Sequence, residues 1–135
     1  MPIIEWSSKM SVDIPQFDNQ HRRLLDMIND LHDAMKQRRG NEVVVQILDQ
    51  LVEYTQQHFT AEERLFIKYG YPSTDTHSKE HNLFISKVAS FQNDIKQGRV
   101  MLSLKVMDFL KDWLVNHIQS TDKKYSSFLL EKGVS

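Results

Sequence analysis

Apolar positions recur at helical spacing along most of the chain, in four stretches separated by very few breakers. The first runs from about Asp18 to Arg38 and puts Leu24, Leu25, Ile28, Leu31 and Met35 on one face. Asp18 or Asn19 is its expected cap, and Arg38 and Arg39 sit near its C-terminus, where positive charge is favoured. The second spans 41–69, with Val44, Ile47, Leu48, Leu51, Tyr54, Thr55, His58, Glu62 and Leu65 in one stripe. Gly70 and Pro72 stop it. The third spans 74–97, capped by Ser73 or Thr74 and followed by Gly98. His77, His81, Phe84, Ile85, Val88, Phe91 and Ile95 form its stripe. The fourth spans about 102–132 and carries Val106, Phe109, Leu110, Trp113 and His117. No alternating, strand-like pattern competes with these. Four amphipathic helices with short links predict an all-α, up-down-up-down four-helix bundle. Residues 1–17 form an extended N-terminal arm, closed by Pro15, whose "IIEW" reads as exposed.

Composition narrows the picture. The 135 residues suit one domain over 1–135, large enough for a single core. A net charge of -1, with Lys and Arg scattered, gives no footprint for nucleic acid. The chain has no cysteine, so disulfides and thiolate metal sites are excluded. "MPIIEWSSKM" lacks the basic and apolar regions of a secretory signal, and no apolar run approaches the ~20 residues of a membrane span. A cytoplasmic protein is expected.

The chemistry lies in what interrupts the apolar stripes. His58 and Glu62 are four apart on the second helix, and His77 and His81 four apart on the third. Residues four apart share a helix face. His117 continues the stripe of the fourth helix, and His21 lies one turn before Leu24 and Leu25 on the first. Any one of these histidines alone reads as a hydrogen-bonded core or surface residue. Together they place five of the six histidines on converging inward faces. Buried imidazoles and carboxylates without partners are costly, and a metal is the economical common partner. Five histidines exceed the needs of one zinc ion. With Glu62 and one more carboxylate they match two six-coordinate ions that share bridges. Asp122 is the candidate, but five residues from His117 does not share a face of a regular α-helix. Its use as a ligand implies an irregularity near 118–121, such as a wide turn. Asp122 reads equally as a solvated residue of "STDKKY".

"HSKEH" at 77–81 also has the spacing of the inverted zinc-peptidase motif. That reading lacks a cleft and a strand for substrate, and leaves His21, His58, Glu62 and His117 unexplained. Glu80 lies about 100° around the helix from His81. It is expected on the flank, solvated or accepting from an imidazole N–H. His32, three turns after His21 and ~16 Å away, is expected at the core edge and outside the site.

At these positions the chain resembles the hemerythrins, in particular the free-standing bacterial ones. The family pattern is met by His21, "HFTAE" at 58–62, "HSKEH" at 77–81 and "HIQSTD" at 117–122, in order and with no departure at a ligand. The resemblance covers nearly the whole chain, Trp6 of the arm included. It implies two non-haem iron ions. One is held by His77, His81 and His117, and the other by His21 and His58 with an open position. Glu62 and Asp122 bridge them with an oxo or hydroxo group. It implies reversible end-on binding of O2 at the open iron, with two electrons and the bridging proton moving to it. Leu24, Phe59, Trp113, Leu114 and Ile118, with Tyr125 nearby, match the apolar O2 pocket, which keeps out water and anions. As ordinary core residues they would read the same way.

The resulting expectation is a non-enzymatic O2-binding protein for carriage, storage or delivery, monomeric, with an O2-consuming enzyme as a possible recipient. Ferritin-like di-iron oxidases use four carboxylates and two histidines. Five neutral imidazoles here, with two ferrous ions, two carboxylates and one hydroxide, leave a net +1 that disfavours high-valent iron. The alternatives are a di-iron enzyme of oxidase, peroxidase or NO-reductase type, and a sensor of O2 or iron. No signalling domain stands beside the site in this chain to support a sensor.

Overall fold

The computed structural model describes residues 4–37, 41–97 and 104–134. Arg38, Gly40, Gly98, the expected helix start near Leu102 and the side chain of Val106 lie outside the described residues. The chain forms an all-α, up-down-up-down four-helix bundle with an extended N-terminal arm. Helix α1 is Pro15–Lys36, α2 Asn41–Tyr69, α3 Thr74–Lys96 and α4 Leu104–Asn116. A π-helical segment, His117–Asp122, follows α4 and leads directly into α5, Lys123–Glu131. The last three make one continuous rod. Helix α1 packs on α2 and α4, and α2 on α3.

The start of α1 differs from the sequence expectation, whereas α3 begins at Thr74 as expected and differs only in its capping bond. Helix α1 begins at Pro15, not Asp18, with Pro in the first turn, where a missing N–H costs nothing. The Ile14 carbonyl accepts from the amides of Phe17 and Asp18, 3.0 and 2.9 Å away. Asp18 is therefore not the cap. Its carboxylate reaches back to the arm and accepts from the Val12 amide (2.8 Å) and the Ser11 hydroxyl (2.6 Å). Ser73 precedes α3 but makes no capping bond, and the Thr74 hydroxyl donates to the Tyr71 carbonyl instead. The end of α2 follows its glycine. Gly70 has φ +70°, and the amides of Gly70 and Tyr71 return to the carbonyls of Ile67 and Phe66. The Tyr71 and Phe66 rings meet at 5.0 Å, the apolar contact that accompanies this kind of helix end.

The arm is not an exposed appendage. Ile4 is buried, and its amide and carbonyl both pair with the Asn29 side-chain amide, at 3.1 and 2.9 Å. Arg22 lies over the Trp6 ring. Val12 and Ile14 are buried, and the Ser126 hydroxyl of α5 donates to the Val12 carbonyl at 2.6 Å. The arm thus ties the start of α1 to the end of the rod. The core falls into two apolar clusters. The larger contains Leu24, Phe59, Leu114 and Ile118. The smaller contains Val12, Ile14, Phe17, Phe66, Tyr71, Tyr125 and Leu129.

Candidate metal centre

The seven residues singled out by spacing meet in one place, and all are buried. His21 comes from α1, His58 and Glu62 from α2, and His77 and His81 from α3. His117 and Asp122 open and close the π segment. In a regular α-helix, residues five apart are about 140° apart around the axis. The wider π turn, with its i→i+5 periodicity, returns Asp122 to the face of His117. Their Nε2 and Oδ1 atoms are 3.0 Å apart.

The two carboxylates divide their oxygens between two sets of histidines. Glu62 Oε1 lies 3.3 Å from His81 Nε2 and 3.8 Å from His77 Nε2. Its other oxygen, Oε2, lies 3.4 Å from His58 Nε2 and 3.6 Å from His21 Nε2. Asp122 repeats the pattern. Oδ1 lies 2.9 Å from His77 Nε2 and 3.0 Å from His117 Nε2, while Oδ2 lies 3.1 Å from His21 Nε2. Ligand atoms of Glu62, His77, His81, His117 and Asp122 fall within 4.8 Å of one another, as do those of His21, His58, Glu62 and Asp122. One set thus offers five donors and the other four, with both carboxylates common to the two.

Within the protein these donors are not satisfied. His21 Nε2, His77 Nε2, Glu62 Oε1 and both Asp122 oxygens are buried without a hydrogen-bond partner among the described residues. Orphaned groups of this kind normally cost one to several kcal/mol each, at order of magnitude. Clustered on one point, they fit a bound cation. Neutral imidazole with carboxylate is a donor set that suits iron.

The charges are mutually dependent. Burial works against a charge on His21, but the carboxylates of Asp122 and Glu62 facing it outweigh that and lift His21 to about 9. Burial opposes charge on Glu62 too, yet the imidazoles of His58, His21 and His81 facing it hold it well below the usual carboxylate range. Asp122 is lowered despite burial and the Glu62 charge, chiefly by His117 and His21. Burial pushes His81 down. In the metal-free protein, protons stand in for part of the missing positive charge.

Around this core two outward imidazole nitrogens have hydrogen-bond partners and a third faces a carboxylate, neighbours that sequence reasoning mostly missed, while His21 Nδ1 and His77 Nδ1 have no hydrogen-bond partner among the described residues. His58 Nδ1 donates to Gln20 Oε1 at 2.6 Å. His117 Nδ1 is 3.4 Å from Glu80 Oε1, which also accepts from the Thr121 hydroxyl at 3.0 Å. His81 Nδ1 is 3.6 Å from Glu63 Oε2, and Glu63 is held in turn by the Ser78 hydroxyl. Glu80 is thus the half-exposed acceptor on the flank, not a hydrolytic base. Gln20, Glu63 and Thr121 each adjoin a ligand in sequence, and that adjacency was the available signal. His32 does not join the centre.

The six candidate pocket residues separate. Leu24, Phe59, Leu114 and Ile118 are buried in the larger cluster, with Trp113 packed against it. Phe59 stacks on His81 at 3.7 Å and Trp113 on His117 at 4.4 Å, so both rings cover the three-histidine side. Tyr125 lies in the smaller cluster and donates from its hydroxyl to Glu62 Oε2 at 2.6 Å.

A bundle that gathers five histidines and two shared carboxylates into its core defines a metal-binding protein of the His/carboxylate class. The chain belongs to the hemerythrin family: the model of the hemerythrin HHE cation binding domain matches residues 12–129. It is 33% identical to a bacteriohemerythrin of Stenotrophomonas maltophilia, over 93% of this chain and 81% of the relative. It is 32% identical to a bacteriohemerythrin of Methylococcus capsulatus, over 96% and 98%. A crystal structure of wild-type hemerythrin superposes with a TM-score of 0.88 at 30% identity, covering 93% of this chain and 96% of that one. Among the described residues no helix is long and apolar enough to cross a membrane.

Proposed function

We propose that this protein binds O2 reversibly at a non-haem di-iron centre and serves in O2 carriage, storage or delivery. The observation that carries this reading is the division of Glu62 and Asp122 between a three-histidine and a two-histidine set. His77, His81 and His117 would hold one iron, His21 and His58 the other, with both carboxylates bridging. Bound iron would supply the electrons that hold O2. The residues supply the rest. The donor count is one lower on the His21 and His58 side, which leaves room there for a small exogenous ligand. Leu24, Leu114 and Ile118 keep bulk water from the centre, which suppresses side reactions of reduced iron. The Tyr125 hydroxyl fixes the Glu62 carboxylate by donating to Oε2. Neutral imidazoles predominate, so the site is poised for binding rather than for oxidising a substrate.

The test is visible absorption of the iron-loaded, reduced protein, recorded without O2, with O2, and after O2 removal. A charge-transfer band that appears with O2 and disappears on its removal is expected. Irreversible passage to the oxidised form would overturn the reading.

A further inference from the structure

The partners of the outward imidazole nitrogens differ between the two halves of the centre. On the three-histidine side two of the three rings face carboxylates, one within hydrogen-bond distance and one at ion-pair distance, and His77 Nδ1 has no partner among the described residues. Glu80 faces His117 Nδ1 at 3.4 Å and Glu63 faces His81 Nδ1 at 3.6 Å. Each is steadied by a hydroxyl, Thr121 on Glu80 and Ser78 on Glu63. On the two-histidine side the partner is an uncharged amide, Gln20, on His58 Nδ1, and His21 Nδ1 has no partner among the described residues. The steadying residues sit next to ligands in sequence: Ser78 after His77, Thr121 before Asp122. Two of the three residues between the histidines of "HSKEH", Ser78 and Glu80, serve this outer layer.

A carboxylate accepting from an imidazole N–H raises the basicity of the ring as a metal ligand, and such outer partners commonly change metal properties by tenfold or more. Negative charge beside a buried centre is felt more strongly than in water. Both glutamates retain partial solvent exposure, 29% for Glu63 and 40% for Glu80, so neither carboxylate is fully desolvated. Resting on the di-iron reading, we infer that Glu63 and Glu80 are positioning residues that make the three-histidine iron the easier of the two to oxidise. An external one-electron oxidant would then draw first on the iron that His77, His81 and His117 would hold.

The experiment is a potentiometric titration of the iron-loaded protein with optical detection, in the absence of O2, on wild type and four variants. In E80Q and E63Q the first oxidation midpoint should rise, by a factor of about ten in the oxidised-to-reduced ratio at fixed potential, or about 59 mV for one electron. In Q20E, which adds charge on the other side, the second midpoint should fall while the first stays. T121V, which only releases Glu80 from its hydroxyl, should move the first midpoint as E80Q does, but less. A purely structural role for these side chains would not give shifts of opposite sign from the two halves. Should E63Q fail to take up iron, the other three variants carry the test. Fully loaded variants with unmoved midpoints overturn this inference and leave the di-iron reading standing. A wild-type chain that takes up fewer than two irons overturns both.

Discussion

The Tyr125 hydroxyl donates to the same Glu62 oxygen that faces His21 and His58, at 2.6 Å, from a side chain that is fully buried. Burial first, and then the charges of Glu62 and Asp122, push the phenol well above its ordinary range, so it stays a donor at any physiological pH. Tyr125→Phe keeps the ring contacts with Phe17 and Phe66 and removes only the donor. It should fold, bind iron and lose about 1–3 kcal/mol of stability, because a buried carboxylate oxygen loses its partner. Urea denaturation of the metal-free protein checks this. An unchanged midpoint would show that the bond contributes nothing.

Metal removal should make stability depend on pH in a defined window. The folded value of His21, about 9, lies above its ordinary 6.5. Its contribution is therefore complete below pH 6.5 and is lost as pH rises through about 9, on the order of 3 kcal/mol. His117 is raised as well and acts in the same sense. His81, Glu62 and Asp122 are lowered, so their contributions are lost as pH falls instead. Denaturation midpoints of the metal-free protein should fall between pH 6.5 and 9, and His21→Leu should flatten that slope. The iron-loaded protein should show little slope there, since metal replaces the protons.

His77→Ala or His117→Ala removes a donor from the five-donor set. Iron per chain should drop below two, and the thermal midpoint should approach that of the metal-free wild type, because metal binding is coupled to folding. Metal analysis alongside calorimetry decides it. Full occupancy in either variant would remove that histidine from the ligand set.

Leu114 lies one helical turn before Ile118 and is buried. Leu114→Ala should cost about 2–5 kcal/mol of stability. It should leave iron content unchanged and speed O2 exchange or autoxidation, followed by stopped-flow absorbance. Identical kinetics would exclude Leu114 from the access route.

Inward positions were legible in the sequence because a helix writes them at fixed spacing. His58 with Glu62 and His77 with His81 needed nothing more, and the five-residue gap before Asp122 already demanded a wide turn. Flanking positions carry no such mark. Glu63, Glu80 and Gln20 lie about 100° from a ligand, where a charged or amide side chain is indistinguishable from a solvated one. The start of α1 was misjudged because Ile14 supplies only backbone to the cap, and Asp18, which has capping chemistry, spends it on the arm. The burial of Ile4 was hidden in the sequence because the partner that satisfies its backbone, Asn29, is 25 residues away.

The π turn also has a meaning for how length changes are tolerated. If one residue between His117 and Asp122 is left uncounted, His117, Asp122, Tyr125 and Leu129 fall at i, i+4, i+7 and i+11, the phase of an unbroken inward stripe. The rod thus holds one surplus residue, absorbed locally instead of rotating everything after it. Deleting the exposed Ser120 should leave the downstream helix in phase and the bundle folded. Deleting Gln57 from α2, which has no such slack, should swing half of that helix out of register. Circular dichroism and thermal melts of the two deletions would read the difference directly.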